Sequence, residues 1–516
     1  MNQKYPIGIQ SFSEIITGNY LYIDKTQRIY DLVTSGKYFF LARPRRFGKS
    51  LLISTLQSLY EAKKELFKGL WIENNWDWSK TNPVIWIPFN NLDYATLGLE
   101  NVVTDWLHIE AQKYDFILGG ESASQLFRNF ITEVHQKTGR KVVVLIDEYD
   151  KPLIDFLDDT KREQFEINRR FLKSFYGVLK PMDMHLELVL LTGVSQFSKV
   201  SIFSDLNNIQ DISLSRDFGQ LVGINQTELE AHFARELGII AEEKGITQDE
   251  LLTKIKTWYN GYTWDLRHHF YNPFSLLLYF ANHGEFRNYW FDTGSPNFLI
   301  QELRKRKLYD ISQVKATSST LTSFDIANLN TTCLLFQTGY LTLTKYEQED
   351  GIYTLDYPNQ EVRHALAQYL LASYREDTEV VLPTVIDFRN ALKKNDLDEA
   401  ITQINAIFSS IPYEHWQNDN EGFYHALVHL TFVLLGAYVQ CEVHTSKGRC
   451  DALVHTADYI YAFEFKLDKS AKVALQQIET KGYLTPYLAS PKTKIAVGVS
   501  FSSKLKKVKG YLTKVL

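Results

Sequence analysis

The stretch that most limits what this chain can fold into is FFLARPRRFGKSLL, residues 39–52. A short apolar run breaks at an arginine-rich turn containing proline, and Gly48-Lys49-Ser50 then opens a segment whose apolar residues recur with helical spacing. A strand–loop–helix passage of this kind aims backbone N–H groups at the electropositive start of a helix, with a lysine and a hydroxyl beside them. A polyphosphate and its Mg²⁺ require those groups. Arg45, Arg46, Phe47, Gly48, Lys49, Ser50 and Leu51 are therefore the expected anion cradle. Arg43 stands where the generic loop has its first glycine and cannot adopt glycine-only geometries cheaply, so the start of the loop has to turn differently, helped by the fixed φ of Pro44. Arg45 and Arg46 either add charge beside the phosphates or pair with nearby carboxylates.

Further strands are expected at KYFFLA (37–42), PVIWIPF (83–89), KVVVLIDE (141–148) and LELVLLTGV (186–194), each apolar enough to be buried on both faces. Residues 50–67 and 165–180 carry helical periodicity between them. This alternation predicts an α/β fold with a parallel sheet. VVVLIDEYDKP (142–152) ends a buried strand in Asp147-Glu148, the Walker B pattern, with Asp147 near the Ser50-bound Mg²⁺ and Glu148 placed to polarise a water. The last strand ends in Thr192, Gly193 and Ser195, where a polar residue either orients that water or simply closes a turn.

With 516 residues the chain should form two to four domains of roughly 100–200 residues each. An apolar content of 45% allows large cores, and the formal charge of -5 gives no global attraction to nucleic acid or anionic membrane. Cys333, Cys441 and Cys450 show neither metal spacing nor a disulfide framework, which fits a reducing cytoplasm. MNQKYPIGIQ lacks a signal pattern, and HLTFVLLGAYV (429–439) is shorter than the roughly 20 residues a span needs, so a soluble, unsecreted protein without a membrane partner is expected. The divisions expected are 1–225, a mainly helical 226–375 and 376–516. Within the middle part, GYLTLTKYEQEDGIYTLDYP (339–358) reads as a hairpin following a helix, hence winged-helix-like. His268 and His269 offer no ligand spacing, and KLKKVKGYLTK (504–514) reads as a solvated amphipathic terminus or a nucleic-acid contact.

YLYIDKT (20–26), the RPRRFGKS loop, IDEYDKP, LTGVSQFSKVSIFSDLNN (191–208), WYNGYTW (258–264) and YNPFSLL (271–277) together resemble the bacterial AAA-ATPase-like family. That family's loop reads RPRRFGKS, so Arg43 agrees with it. The resemblance implies an ATP-binding P-loop module of the AAA/STAND type. Tyr22 and Asp24 match the family's YxDK element, with a place near the nucleotide or a helix cap at Asp24 both open.

Near the other end, Asp451 lies on one strand and Glu464 and Lys466 on the next, with HTAD as the turn. Pairing across that turn brings two carboxylates and a lysine together, a set that can hold a divalent cation and assist attack of water on a phosphodiester. Glu421, at the start of a helix, is available as a further carboxylate, and Gln477 follows on the next helix. EGFYHAL, GRCDALV, FEFK and ALQQIETKGY, within about residues 415–500, resemble the PD-(D/E)XK nuclease superfamily. The resemblance implies a restriction-endonuclease-like α/β domain with Asp451, Glu464 and Lys466 as its core set and Glu421 and Gln477 as auxiliaries. Cys450 replaces the proline of the superfamily's name. The expected activity is an ATP-regulated, Mg²⁺- or Mn²⁺-dependent nuclease, with defence or mobile-element biology implied by the family. A signalling ATPase whose tail binds a partner, and a nucleotide-bound scaffold, are the alternatives. DNA against RNA, and the number of chains that assemble, stay open.

Overall fold

Strand β1 (Tyr38–Ala42) is buried along its whole length and runs directly into the arginine-rich turn. The structure, a computed structural model, describes residues 4–157, 159–195, 202–203, 205–291, 297–306, 308, 310–322, 330–374, 381–412, 416, 421–435, 439–445 and 448–516. With β2 (Val84–Pro88), β3 (Val142–Asp147), β4 (Leu186–Gly193) and β5 (Gln210–Asp211), β1 forms a sheet in the order β2-β3-β4-β1-β5. Every pairing in it is parallel. The C-terminal ends of β1, β3 and β4 therefore lie side by side, where loops of a parallel sheet converge on a ligand. Helices Leu99–Gln112, Ala123–Thr138 and Arg162–Gly177 pack Val103, Phe127 and Phe175 into the same core as Phe40, Val144 and Leu191.

Two details differ from the sequence reading. β2 is an edge strand, so its burial alternates and Val84, Trp86 and Pro88 stay half-exposed, where burial on both faces was expected. The helix after the loop, Lys49–Tyr60, stops well before residue 67. Ala62 takes a left-handed φ of 54°, and a short 3₁₀ turn, Lys64–Phe67, follows.

The chain divides into two compact units, Met1–Trp290 with Ser312–Asn359, and Phe291–Ile311 with Gln360–Leu516. In the first, helices Gln226–His232, Ala234–Glu243, Gln248–Tyr259 and Pro273–Ala281 build a second core around Leu229, Leu237, Ile255 and Leu276. A two-stranded pair, β6 (Ile224–Asn225) with β7 (Phe270–Tyr271), stitches this part together. The expected hairpin is present as β9 (Thr342–Glu347) and β10 (Ile352–Asp356), and β8 (Val314–Thr317) completes a sheet in the order β8-β10-β9. Helices Ser318–Thr322 and Thr331–Thr338 lie between β8 and β9 in sequence, the winged-helix connectivity. The second of these helices buries Cys333, Leu334, Leu335 and Phe336.

In the second unit, β11 (Val439–Thr445), β12 (Gly448–His455), β13 (Tyr459–Leu467), β14 (Thr493–Ser502) and β15 (Lys507–Val515) are ordered β11-β12-β13-β14-β15. Only β13 and β14 run parallel among these, joined through helix Ala471–Lys481. That helix lies so close over the sheet that a Cβ on Gly498 would meet Ala471 O and Leu475 N at 2.5 Å. The basic segment 504–514, expected as an amphipathic terminus, is largely edge strand β15. Its pairing with β14 satisfies one backbone edge, and its lysines discourage pairing on the other. Among the described residues no helix is long and apolar enough to cross a membrane.

Candidate functional site

The loop after β1 is shaped by what its arginines do. The Arg43 side chain is buried, turning away from the loop: Nη1 donates to Ala42 O at 2.9 Å and to Ser213 O at 2.6 Å, and the guanidinium lies 4.0 Å from the centre of the Trp264 ring. Burial works against its charge, while Asp211 and Asp265 support it. Arg43 N also donates to Gly193 O at 3.1 Å, extending the β1–β4 ladder by one residue. A side chain anchored from behind thus does the work that a flexible glycine does elsewhere. Arg46 (φ 68°) and Gly48 (φ 92°) then make the left-handed turns. Arg45 and Arg46 are exposed; the Arg46 guanidinium covers the Phe274 ring at 4.7 Å, and Arg45 O accepts from Asn272 Nδ2.

Phe47 is fully buried, its ring against Tyr262 at 4.8 Å and Trp264 at 5.3 Å. The WYNGYTW and YNPF motifs therefore form the wall on which the loop rests. Gly339, with φ 90° at the end of the second winged helix, leaves the space that Pro44 fills: a Cβ there would lie 2.8 Å from the proline ring. The sequence carried no signal for this seat, because its parts lie some hundreds of residues apart.

Lys49 is buried, its ammonium donating to Arg43 O at 2.9 Å and Pro44 O at 3.0 Å. Burial lowers its pKa, and Asp147, Glu148 and Asp150 oppose the shift. Thr192 Oγ1 donates to Asp147 Oδ1 at 2.6 Å, and Glu148 N donates to the same oxygen at 3.1 Å. Glu148 has a left-handed φ of 52° and a pKa raised by burial and by Asp147. Lys49, Asp147, Glu148 and Thr192 thus converge, and a buried ammonium facing acids fits a polyphosphate chelated to Mg²⁺. Ser50 opens the helix beside them. Asp150 also belongs to this cluster, and it went unassigned in the sequence although IDEYDKP contains it.

A cavity of about 110 Å³ opens beside Gly48. Leu21, Tyr22, Ile23, Leu51, Val222 and Leu277 give it apolar walls, and Lys25 and Thr55 add polar groups. Tyr22 of the YxDK element thus lines the space next to the loop. Asp24 does not: it stands one residue before Lys25, the N-cap of helix Thr26–Ser35, and accepts from Thr26 N at 2.8 Å and from Trp71 N. Lys25 pairs with Glu228, whose other oxygen closes the capping box of helix Gln226–His232.

In the second unit, the register Ala452↔Phe463 sets Asp451 beside Glu464. Asp451 Oδ2 accepts from Phe465 N at 2.8 Å. Glu464 Oε1 accepts from Lys466 Nζ at 2.8 Å and from Gln477 Nε2, while buried Oε2 has no hydrogen-bond partner among the described residues. Burial and Asp451 raise the Glu464 pKa to about 7, against Lys466. A buried carboxylate with one unmatched oxygen, next to a second carboxylate, fits a divalent cation. The Gly498 contact is what lets the helix bring Gln477 down to Glu464, since Gly498 is the cross-strand partner of Glu464. Cys450 is a buried thiol in the local core. The side chain of Glu421 lies outside the described residues, as does the side chain of Cys441. Among the described residues no three His, Cys, Asp or Glu side chains stand in metal-ligand geometry. His425 Nδ1, one helical turn beyond Glu421, lies 4.0 Å from Asp451 Oδ1, and only its place in EGFYHAL hinted at it. His268 is held by Asp265 at 2.6 Å in a local turn.

Residues 6–203 match the family described as Predicted AAA-ATPase, and residues 419–510 match the PD-(D/E)XK nuclease superfamily. A protein of Azotobacter chroococcum mcd 1, described as "Uncharacterized protein in vnfD 5'region", is 38% identical over 526 residues, covering 100% of this chain and 99% of its own length.

Proposed function

This chain belongs to the AAA-ATPase-like family and carries a C-terminal PD-(D/E)XK nuclease superfamily domain, and from that premise we propose that it is an ATPase whose nucleotide state governs a divalent-metal nuclease acting on DNA or RNA phosphodiesters. The observation that carries the reading is the buried Glu464 carboxylate, one oxygen held by Lys466 and Gln477 and the other unmatched beside Asp451. The division 1–225, 226–375 and 376–516 is part of the proposal, as are a reducing cytoplasmic setting and a defence or mobile-element role.

In the first site, Lys49 neutralises the β- and γ-phosphates, and the backbone of residues 45–51 cradles them. Ser50 and Asp147 hold Mg²⁺, with Thr192 fixing the Asp147 carboxylate through its 2.6 Å bond. Glu148 polarises the attacking water. The cavity lined by Tyr22 and Leu51 takes the base. In the second site, Asp451 and Glu464 hold the divalent cation and Glu421 assists. Bound there, Mg²⁺ or Mn²⁺ supplies charge stabilisation to the phosphoryl oxygens. Lys466 favours the ionised form of Glu464 and faces the developing charge, and Gln477 fixes the carboxylate's orientation.

A nuclease-like domain that only binds a partner is the second reading. Incubation of the purified protein with DNA and RNA, with and without ATP, in Mg²⁺ or Mn²⁺, separates the two. Cleavage is expected in wild type, lost in Asp451→Ala and altered in its ATP response in Lys49→Ala. The absence of cleavage under every condition rejects the nuclease and leaves the binding module.

A further inference from the structure

Three of the four residues 147–150 are tied to the end of β4, and the fourth, Glu148, lies within electrostatic reach of Lys49. Asp147 accepts from Thr192 Oγ1. Tyr149 N donates to Thr192 O at 3.0 Å, and Tyr149 Oη donates to Ser195 O at 2.7 Å. Asp150, buried, accepts from Ser195 N at 2.6 Å, Ser195 Oγ at 2.6 Å and Val194 N at 3.1 Å. Glu148 makes no side-chain hydrogen bond among the described residues, and its left-handed φ of 52° is costly for a residue with a Cβ. Such a conformation persists only where its surroundings over-determine it.

Resting on the ATPase reading, we propose that Asp150 is a positioning residue for hydrolysis: by locking Val194 and Ser195 to the turn after β3, it holds the left-handed backbone that aims Glu148. The two strand ends meet without slack, since a Cβ on Gly193 would lie 2.4 Å from the Tyr149 ring and 2.6 Å from Asp150 Oδ1. Tyr176 Oη donates to Tyr149 O at 3.1 Å and closes the clamp from behind. The chemistry demands a carboxylate. The three donors meet on Asp150 Oδ2, and Val194 N also lies 3.3 Å from Oδ1; a carboxylate accepts at both oxygens, whereas an amide that keeps its oxygen at Oδ2 sets its own N–H₂ against Val194 N. A catalytic group displaced by a fraction of an ångström loses rate while ground-state binding, made by Lys49 and the loop, stays.

The test compares wild type, Asp150→Asn and Ser195→Ala as full-length protein, reading ATP affinity with a fluorescent ATP analogue and single-turnover hydrolysis separately. Asp150→Asn is expected to lower the hydrolysis rate at least ~10-fold with the dissociation constant for ATP within ~3-fold. Ser195→Ala removes one of the three bonds and keeps the two amide bonds, so a smaller drop in rate, again with affinity retained, is expected even where the asparagine variant fails to fold. Wild-type hydrolysis in a folded Asp150→Asn overturns the positioning role alone. Rate and affinity falling together in Ser195→Ala also overturn it, in favour of simple support of the fold. A wild type that binds ATP and never hydrolyses it removes the ATPase reading and this role with it.

Discussion

Glu464 shows how one side chain can be held against its own chemistry. Its carboxyl is raised to about 7 by burial and by Asp451, so in the folded protein the proton is held where an unfolded glutamate has long lost it. The sign follows: stability from this group is fully present below the ordinary glutamate pKa and is lost as pH rises through about 7. Glu464→Gln, a neutral isostere, is therefore expected to raise the unfolding midpoint of metal-free protein at pH 8, by the equivalent of about 1–2 kcal/mol after screening, and to change little at pH 5. Thermal unfolding in chelator at the two pH values checks this. An equal effect at both would mean the carboxylate is not strained by its surroundings. Added Mn²⁺ should stabilise wild type more than the variant, because the variant has lost a ligand.

At the scale of elements, the phosphate-type loop depends on a wall it does not contain. Trp264 is almost fully buried between Phe47 and the Arg43 guanidinium. Trp264→Ala is expected to cost about 3 kcal/mol or more, as removal of a buried ring does. It should also weaken ATP binding, since Arg43 then loses the face that keeps it turned inward. Calorimetric titration of ATP, together with the unfolding midpoint, measures both. Unchanged affinity in a destabilised variant would show that the carbonyls of Ala42 and Ser213 hold Arg43 unaided. Much of this part was legible from the chain: the strand, the GKS turn and the helix are local, and β3 reads as buried because five of its six residues are apolar and the sixth is Asp147. The inward course of Arg43 was not legible, because its partners Ser213 and Trp264 are about two hundred residues away.

For the whole molecule, the two candidate sites fall in different compact units, and the chain passes between the units after Trp290, Ile311 and Asn359. Influence of one site on the other requires an element with two arrangements that ATP distinguishes. The segment 226–375 is the expected carrier, since its aromatic motif and its winged-helix end both touch the loop through Tyr262, Trp264 and Gly339. Glu148→Gln should bind ATP without hydrolysing it, and its ATP complex is expected to differ from the ADP complex in protease sensitivity within 226–375 and in nuclease rate. Identical digestion patterns and rates with ATP, ADP and no nucleotide would leave two independent modules on one chain.

Local order in the chain was enough to give the parallel α/β class, the position of the loop, the acidic end of β3 and the D…ExK pair, because each depends on neighbours in sequence and on strand or helix period. Folding in three dimensions settled what those residues face. The order β2-β3-β4-β1-β5 put Thr192 against Asp147 and Asp150 against Ser195, contacts that no spacing encodes. Edge placement left β2 half-exposed and turned the lysine-rich end into β15. The missing side chain of Gly498 mattered only once a helix had to cross it, and that crossing is what gives Glu464 its Gln477 partner. Periodicity is written along the chain, whereas burial and charge contact depend on which distant segments share a face.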